Sequence, residues 1–229
     1  PDVDPNRIGF TGCSGGGTLT SYVMALDDRV ACAVPACYLT TFRRLIETIG
    51  PQDAEQNIFG QIAFGMDHPD YVLMRAPRPT LISSTTGDYF DIGGAWNNYR
   101  QAKRLYTRLG FPERVDLVEA PGNHGVQPAN LVAITRWMRR WLLDQDDAVE
   151  LKEISAHSEQ ELQCTEKGQV LLLPNERSVF DLNVEHERRL AIHRNEFWKN
   201  TSQSEALQAV RKAVSVRPLD EIGKLRMKE

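Results

Sequence analysis

Three properties of this sequence predict an α/β fold with a doubly wound, mainly parallel sheet. Its 229 residues are 41% hydrophobic and 25% charged, which is enough apolar material for an ordinary core and argues against a disordered chain. Short apolar runs alternate with longer segments whose apolar residues recur at spacings of three and four. The composition then changes near residue 144, which predicts a partial α/β unit followed by a mostly helical C-terminal appendage.

The strands and helices of the α/β unit follow one another in a regular order. Apolar runs predict four strands, at residues 7–11, 30–36, 79–83 and 115–119. Helical periodicity predicts three helices, at residues 18–26, 95–109 and 128–143. Residues 38–75 are expected to be irregular with helical pieces. Because ligands bind at the carboxyl ends of parallel strands, we expect the functional residues directly after the strands.

A domain boundary is predicted at residues 145–147, because charged residues become denser there. Residues 1–144 hold 29 of the 58 charged residues (27 basic and 31 acidic), and the shorter remainder, residues 145–229, holds the other 29. In this second part we expect one strand, at residues 170–173 (VLLL), and two helices, at 184–199 and 204–216. It carries no catalytic pattern, and we interpret it as a connector or a packing arm.

The overall charge and the cysteine content argue against several classes of function. The net charge is −4 with no cluster of basic residues, so no nucleic acid is expected as a partner. No apolar run approaches the roughly 18 residues of a membrane helix, so no membrane partner is expected. The four cysteines, Cys13, Cys32, Cys37 and Cys164, fit no zinc spacing, and their disulfide state stays open. The N-terminus does not resemble a signal peptide, and the location stays unknown, with secretion or the periplasm as alternatives.

A nucleophile pattern follows the first predicted strand. Residues 12–17 read GCSGGG, which matches G-x-S-x-G at Gly12, Ser14 and Gly16. A serine on a tight strand-to-helix turn adopts a strained backbone conformation, and its neighbours two before and two after come too close for a side chain. The alternative is a glycine-rich phosphate loop, but no Lys-Ser/Thr follows and G-x-G-x-x-G is not matched. We therefore predict that Ser14 is a nucleophile.

An acid and a histidine follow the third and fourth predicted strands. Asp88 lies close to the end of the third strand, and Asp91 lies three residues later. We predict that Asp88 orients the histidine, whereas Asp91 is the alternative acid and is better suited to cap the following helix. His124 follows the fourth strand on a loop rich in turn formers. The order Ser14, Asp88, His124 is typical of serine hydrolases built on a parallel sheet.

These motifs resemble the C-terminal half of an α/β-hydrolase. The resemblance covers about residues 5–143 and is carried by RIGFTGCSGGGTLTSYVMAL (7–26), DAEQNIFG (53–60), DHPDYVLMRAPRP (67–79), GDYFDIGGAW (87–96) and APGNHG (120–125). More narrowly, the chain resembles acetyl xylan esterase-like hydrolases, which are relatives of the prolyl oligopeptidase catalytic domain. Glucuronoyl esterases also have a Gly-Cys-Ser elbow, usually with a basic residue after the serine, where this chain has Gly15. Residues 1–144 are thus expected to be the C-terminal half of a catalytic domain.

The resemblance implies a serine hydrolase that cleaves carboxylic esters, most of all acetyl or related esters on carbohydrates. It implies a triad of Ser14, His124 and Asp88, an acyl-enzyme, and the backbone N–H of Gly15 as an oxyanion donor. It implies no cofactor and no metal. Two alternatives stay open: a prolyl oligopeptidase-type serine peptidase, and a non-catalytic α/β-hydrolase module with a binding role.

Substrate-binding residues are expected in the segment at residues 38–75, which would cover the site. Glu55, Gln56 and Asn57 have side chains that could hydrogen-bond sugar hydroxyls. The alternative is that these residues cap or solvate a helix.

The resemblance also implies that a segment upstream of residue 1 completes the fold. In α/β-hydrolases several strands and the first oxyanion-hole loop precede the nucleophile, whereas 13 residues precede Ser14 here. Without those strands, residues 7–11 would form an unpaired apolar edge that favours aggregation. Residues 1–229 expressed alone are therefore expected to be poorly soluble or nearly inactive. Adding the upstream segment, in the same chain or as a separate fragment, is expected to restore folding and activity.

Overall fold

The chain divides into two compact units, Pro1–Glu153 and Ile154–Glu229. The computed structural model describes residues 3–152 and 155–215. The strands of the first unit are β1 (Ile8–Cys13), β2 (Val30–Ala36), β3 (Thr80–Gly87) and β4 (Val115–Asn123). Its helices are α1 (Gly15–Leu26), α2 (Phe42–Thr48), α3 (Gln61–Phe64), α4 (His68–Met74), α5 (Ile92–Arg108) and α6 (Pro128–Leu143). The second unit contains α7 (Glu159–Leu162), α8 (Val179–Asn200) and α9 (Gln203–Ala213). Within the described residues, no helix has the length and apolar character needed to cross a membrane.

The four strands of the first unit form a parallel sheet in the order β1-β2-β3-β4. Cys13 at the end of β1 lies opposite Ala36 of β2, and Gly87 at the end of β3 lies opposite Asn123 of β4. At least one helix lies between each pair of consecutive strands, as parallel neighbours require. The loops that follow the four strands therefore all lie at the same edge of the sheet, the one formed by the carboxyl ends of the strands. The predicted mainly parallel α/β architecture is confirmed.

Alternating side chains of the buried strands pack against helices on both faces of the sheet. On β2, Ala33 belongs to a core that includes Met24 of α1 and Tyr106 of α5. The next residue, Val34, belongs to a second core with Trp137 of α6. Successive side chains of a strand point to opposite faces, so α1 and α5 cover one face and α6 covers the other. This double coverage explains why β2 reads as a continuous apolar run.

Several boundaries differ from the predicted ones. β2 and α6 have the predicted ranges. β3 and β4 each run four residues beyond their predicted ends, because they continue to pair with each other as far as Gly87 and Asn123. α5 begins at Ile92 rather than at residue 95, because the Asp91 carboxylate accepts a hydrogen bond from the Gly94 N–H at 2.9 Å and caps the helix.

The predicted strand at residues 170–173 is wrong. Val170–Leu172 form a single turn of 3₁₀-helix, and their side chains are exposed. The apolar run suggested a buried strand, but a strand needs a neighbour to pair its backbone, and the described residues of the second unit include no strand.

The helices of the second unit begin at local capping signals. Each of these helices is preceded by a serine whose side chain accepts a hydrogen bond from the backbone N–H three residues later. The carboxylate of that later residue accepts a hydrogen bond from the serine N–H. The serines are Ser158, Ser178 and Ser202. These capping boxes start α8 five residues before the predicted residue 184 and start α9 near the predicted residue 204. The predicted end at residue 216 lies outside the described residues.

Candidate active site

The turn between β1 and α1 places Ser14 in an uncommon backbone conformation. Its φ of 58° and ψ of −119° are sparsely populated for a residue with a side chain. A Cβ atom on Gly12 would lie 2.6 Å from the carbonyl carbon and oxygen of Gly16, so the turn closes only with glycine at that position. A Cβ atom on Gly16 would meet nothing within 4 Å, so the expected lack of space for a side chain holds two residues before Ser14 and not two residues after it. The Ser14 N–H donates to the Ala36 carbonyl of β2 at 3.0 Å, which ties the turn to the neighbouring strand. These features are those of a nucleophile elbow.

Asp88 and His124 form a direct pair at the ends of β3 and β4. The His124 Nδ1 atom lies 2.9 Å from Asp88 Oδ1, and the Asp88 side chain is fully shielded from solvent. The Phe90 N–H donates to Oδ1 at 3.0 Å, and the Thr85 hydroxyl donates to Oδ2 at 3.2 Å. An Nδ1–H that donates to this carboxylate leaves Nε2 of the imidazole to accept a proton.

Two aromatic rings hold the imidazole in place. The Tyr89 ring stacks on His124 with centroids 4.2 Å apart and an angle of 30° between the planes. The buried Phe90 ring is a second neighbour of the imidazole. Its centroid lies 6.0 Å from that of His124, and the two planes are tilted by 42°. Tyr89 was not predicted as a neighbour of the histidine, although it directly follows Asp88 in the sequence. Packing of this kind limits the ring to few orientations.

Asp91 has a different set of partners from Asp88. Besides capping α5, its carboxylate accepts two hydrogen bonds from Arg44, at 2.8 and 2.9 Å. Arg44 is the main reason that the pKa of Asp91 lies below its ordinary value. Both carboxylate oxygens are therefore engaged away from His124, and the helix-capping interpretation of Asp91 is confirmed.

The nucleophile elbow lies at the same edge of the sheet as the acid–histidine pair. β1, β3 and β4 are parallel. Ser14 directly follows the carboxyl end of β1, Asp88 that of β3 and His124 that of β4. Within residues 3–152, no hydrogen bond joins the Ser14 hydroxyl to the imidazole. Such bonds are often long before a substrate is bound. A Cβ atom on Gly15 would meet nothing within 4 Å, so the space on the side-chain side of this residue is open.

The three candidate sugar-binding residues lie in a short 3₁₀ turn, Ala54–Gln56, and just after it. Gln56 is buried, with 1% of its surface exposed. The Asn57 amide donates to the backbone carbonyls of Gln52 and Asp53, at 3.3 and 2.9 Å. Glu55 is exposed. The contacts of Gln56 and Asn57 favour the structural alternative, and a role in sugar binding stays a prediction.

Cys37 is a residue of this site that the sequence analysis missed. Its thiol donates to the Gly125 carbonyl at 3.4 Å, next to His124. One ligand-type atom from each of Cys37, Asp88 and His124 lies within 4.8 Å of the other two. Burial is the main reason that the pKa of the Cys37 thiol is raised to about 12. Its position directly after β2 could have predicted it, because the residues predicted for the site follow the other three strands.

A parallel sheet with a nucleophile elbow and an acid–histidine pair at one edge is the architecture of the α/β-hydrolases, and solved structures agree. A carbohydrate esterase family 15 glucuronoyl esterase from Caldicellulosiruptor kristjansonii matches with a TM-score of 0.53 at 18% identity, covering 68% of this chain and 49% of that one. The glucuronoyl esterase catalytic domain from Hypocrea jecorina gives 0.53 at 19% identity, with 62% and 46% covered. The chain therefore has the α/β-hydrolase fold.

Sequence similarity narrows this class. The model of the family Acetyl xylan esterase (AXE1) matches residues 1–69, and the predicted resemblance to that family is thereby confirmed. Methylesterase BT1017, a solved structure, is 26% identical with a TM-score of 0.53, covering 63% of this chain and 31% of that one. Lasso peptide isopeptidase AtxE2 of Asticcacaulis excentricus is 28% identical over 63% of this chain and 22% of the relative. The chain thus spans about half or less of the length of these relatives.

Proposed function

We propose that this chain carries the catalytic residues of a serine hydrolase that cleaves carboxylic esters through an acyl-enzyme. The observation that carries the proposal is the shielded Asp88–His124 pair, which lies at the same sheet edge as a serine in a nucleophile elbow. A binding module has no need of these three groups together. The esterase family model and the esterases among the solved structures support the same reaction class.

The proposed reaction begins with attack of the Ser14 hydroxyl oxygen on the ester carbonyl. His124 Nε2 takes the hydroxyl proton, and Asp88 stabilises the imidazolium that forms. The tetrahedral intermediate then collapses, His124 protonates the departing alcohol, and Ser14 keeps the acyl group. A water molecule then gives a proton to His124 and attacks the acyl group on Ser14. The carboxylic acid is released, and Ser14 regains its proton from His124.

Charge on the carbonyl oxygen is stabilised at the start of α1. The Gly15 N–H is the candidate donor, and removal of one such donor typically costs about 3 kcal/mol of transition-state stabilisation. The first backbone N–H groups of α1 lack partners within the helix and add a favourable field there.

For the substrate, we propose acetyl or related esters on carbohydrates. The support is the match to the acetyl xylan esterase family and the similarity to glucuronoyl esterases, which are named for sugar-acid esters. Glu55 is the exposed member of the three candidate sugar-binding residues and so the one best able to contact a sugar from its present position.

A serine peptidase is the second candidate, and one observation favours it. The relative from Asticcacaulis excentricus is named an isopeptidase, so the bond in its name is an amide rather than an ester. The same triad can cleave both bonds, since the acyl-enzyme forms in either case.

Labelling of the protein with a fluorophosphonate tests the reaction class. We expect one adduct, on Ser14, and none in Ser14→Ala. An adduct on another residue, or ester hydrolysis that persists in Ser14→Ala, would contradict the assignment.

Rates on paired substrates then separate the two candidates. Acetylated xylan fragments and p-nitrophenyl acetate are compared with an aminoacyl amide and an isopeptide-linked peptide. We expect the esters, and among them the carbohydrate ester, to give the highest kcat/KM. A higher value on the amides would identify a peptidase.

A further inference from the structure

Three different kinds of metal-ligating side chain meet at the proposed active site. The Cys37 thiol, the Asp88 carboxylate and a ring nitrogen of His124 each offer one atom, and these atoms lie within 4.8 Å of one another. They come from the ends of three neighbouring strands, so the sheet itself holds them together. Ester hydrolysis by the triad gives the Cys37 thiol no role.

We propose that Cys37, Asp88 and His124 form an inhibitory binding site for a thiophilic divalent cation of the zinc class. A thiolate, a carboxylate and a neutral imidazole together carry two negative charges, which match a divalent cation. A thiolate ligand selects zinc, cobalt or cadmium over magnesium and calcium, which prefer oxygen ligands.

The distances require only a small adjustment. Ligand bonds to zinc of 2.0–2.3 Å in a tetrahedron place the ligand atoms about 3.5 Å apart. The atoms that Cys37, Asp88 and His124 offer lie within 4.8 Å of one another, so no pair has to close by more than about 1.3 Å. When the cation binds, the thiol proton leaves to solvent and the hydrogen bond to the Gly125 carbonyl is lost. The His124 Nδ1 proton moves to Nε2, so that Nδ1 can bind the cation, and the hydrogen bond from Nδ1 to Asp88 is lost as well. A fourth position stays open for water.

Binding at this site would block catalysis, and this part of the inference rests on the proposed function. The cation would hold the imidazole that must accept the Ser14 proton, and it would occupy the carboxylate that orients it. The enzyme would then be inactive while the metal is bound and active again after chelation.

Cobalt binding tests the site without any reference to activity. The metal-free protein is titrated with Co²⁺, and the near-ultraviolet thiolate-to-cobalt absorption is recorded. We expect one Co²⁺ per chain, displaced by Zn²⁺ and not by Mg²⁺. Cys37→Ser should weaken binding by at least about 100-fold, because a loss of even indirect metal contacts costs 10–100-fold. His124→Ala should also weaken it. Cys164→Ser removes an exposed thiol of the second unit and should change nothing.

No thiolate absorption in the native protein, or absorption that survives Cys37→Ser, would overturn the site. Circular dichroism of each variant confirms that it is folded. Fluorophosphonate labelling of Ser14 is then measured with and without Zn²⁺. We expect Zn²⁺ to slow labelling of the native protein at least about tenfold and to leave Cys37→Ser unaffected. Labelling that Zn²⁺ does not slow overturns the inhibitory role. Cobalt binding in a protein whose Ser14 is never labelled contradicts the proposed function and leaves the metal site standing.

Discussion

The two units of the chain differ in what holds their structure. The first unit has a core on each face of its sheet, with fully buried side chains such as Tyr38, Ile82 and Tyr106. In the described residues of the second unit, Ala206 is the one buried residue, and Phe180 is 82% exposed. The helices of the second unit are set instead by capping boxes, which act within four residues.

This difference explains why the first unit is the one suited to hold the proposed active site. An uncommon backbone conformation costs of order 1–3 kcal/mol and persists only where many surrounding contacts determine it. The elbow at Ser14 has such surroundings, since β2, α1 and the glycine contacts all constrain it. Local capping alone supplies no such excess of contacts.

The largest expected effect concerns the two aspartates near the site. Asp88→Asn should lower kcat by about 10⁴, because the amide favours the wrong imidazole tautomer. Asp91→Asn is the matched control, since Asp91 caps α5 and binds Arg44, and it should lower stability more than kcat. The measurement is steady-state ester hydrolysis together with thermal unfolding. A larger loss of kcat in Asp91→Asn would show that the acid was misassigned.

A matched pair of leucines tests the comparison of the two units directly. Leu45 of α2 is 0% exposed, and Leu182 of α8 is 49% exposed. Leu45→Ala should lower the free energy of unfolding by about 2–5 kcal/mol, whereas Leu182→Ala should change it by less than about 0.5 kcal/mol. Chemical denaturation measures both. Equal losses would mean that the second unit depends on burial as much as the first.

Two glycines of the elbow should respond in opposite directions to alanine. Gly12→Ala places a methyl group 2.6 Å from the Gly16 backbone and should cost about 1–3 kcal/mol of stability together with much of the activity. Gly16→Ala meets open space in the first turn of α1 and should raise stability through helix propensity, by no more than the about 0.5–1 kcal/mol of a helix interior. Thermal unfolding distinguishes these outcomes, and destabilisation by both variants would argue against the turn described above.

The stability of the first unit should also depend on pH. His68 is buried, its Nδ1 accepts from the Thr40 N–H at 3.2 Å, and burial lowers its pKa to about 3 from an ordinary 6.5. Below pH 6.5 the unfolded chain binds a proton that the folded chain does not bind until about pH 3. The free energy of unfolding should therefore fall as pH falls through this window, by about 1.4 kcal/mol per pH unit.

His68→Gln should remove this slope. His186→Gln, which changes an exposed histidine of α8, should leave it unaltered. Urea unfolding at pH 7, 6, 5 and about 4 measures the slope for each variant. A slope that persists in His68→Gln would assign the acid sensitivity to other groups.

Local signals in the sequence predicted some elements closely and others poorly. β2 and α6 were predicted with their observed bounds, because an uninterrupted apolar run defines one and a proline at the first turn defines the other. The ends of β3 and β4 were missed because pairing between distant segments extends them. The run at residues 170–173 has the composition of a strand, and only the absence of a pairing partner in the described part of the second unit makes it a turn.

The sequence predicted the three candidate catalytic residues but not the contacts that surround them. Ser14, Asp88 and His124 were found because each follows a strand, and the direct hydrogen bond between the last two agrees with their assigned relation. The hydrogen bonds of Asp88 to Thr85 and Phe90, and the approach of Cys37, depend on how neighbouring strands are aligned. No spacing within a single segment reports such an alignment.

The hydrogen bond from the Ser14 N–H to the Ala36 carbonyl has a consequence for how the protein acquires its reactivity. The elbow cannot be held by residues 12–17 alone, because its main-chain partner lies at the end of β2, on the far side of α1 along the chain. A nascent chain, or one whose sheet has come apart, would contain the serine without a hydroxyl in attacking position. The proposed nucleophile would therefore reach its attacking position only once the sheet has assembled. The rate at which a small electrophile marks Ser14 would report the native population during refolding, and misfolded chains would remain chemically silent.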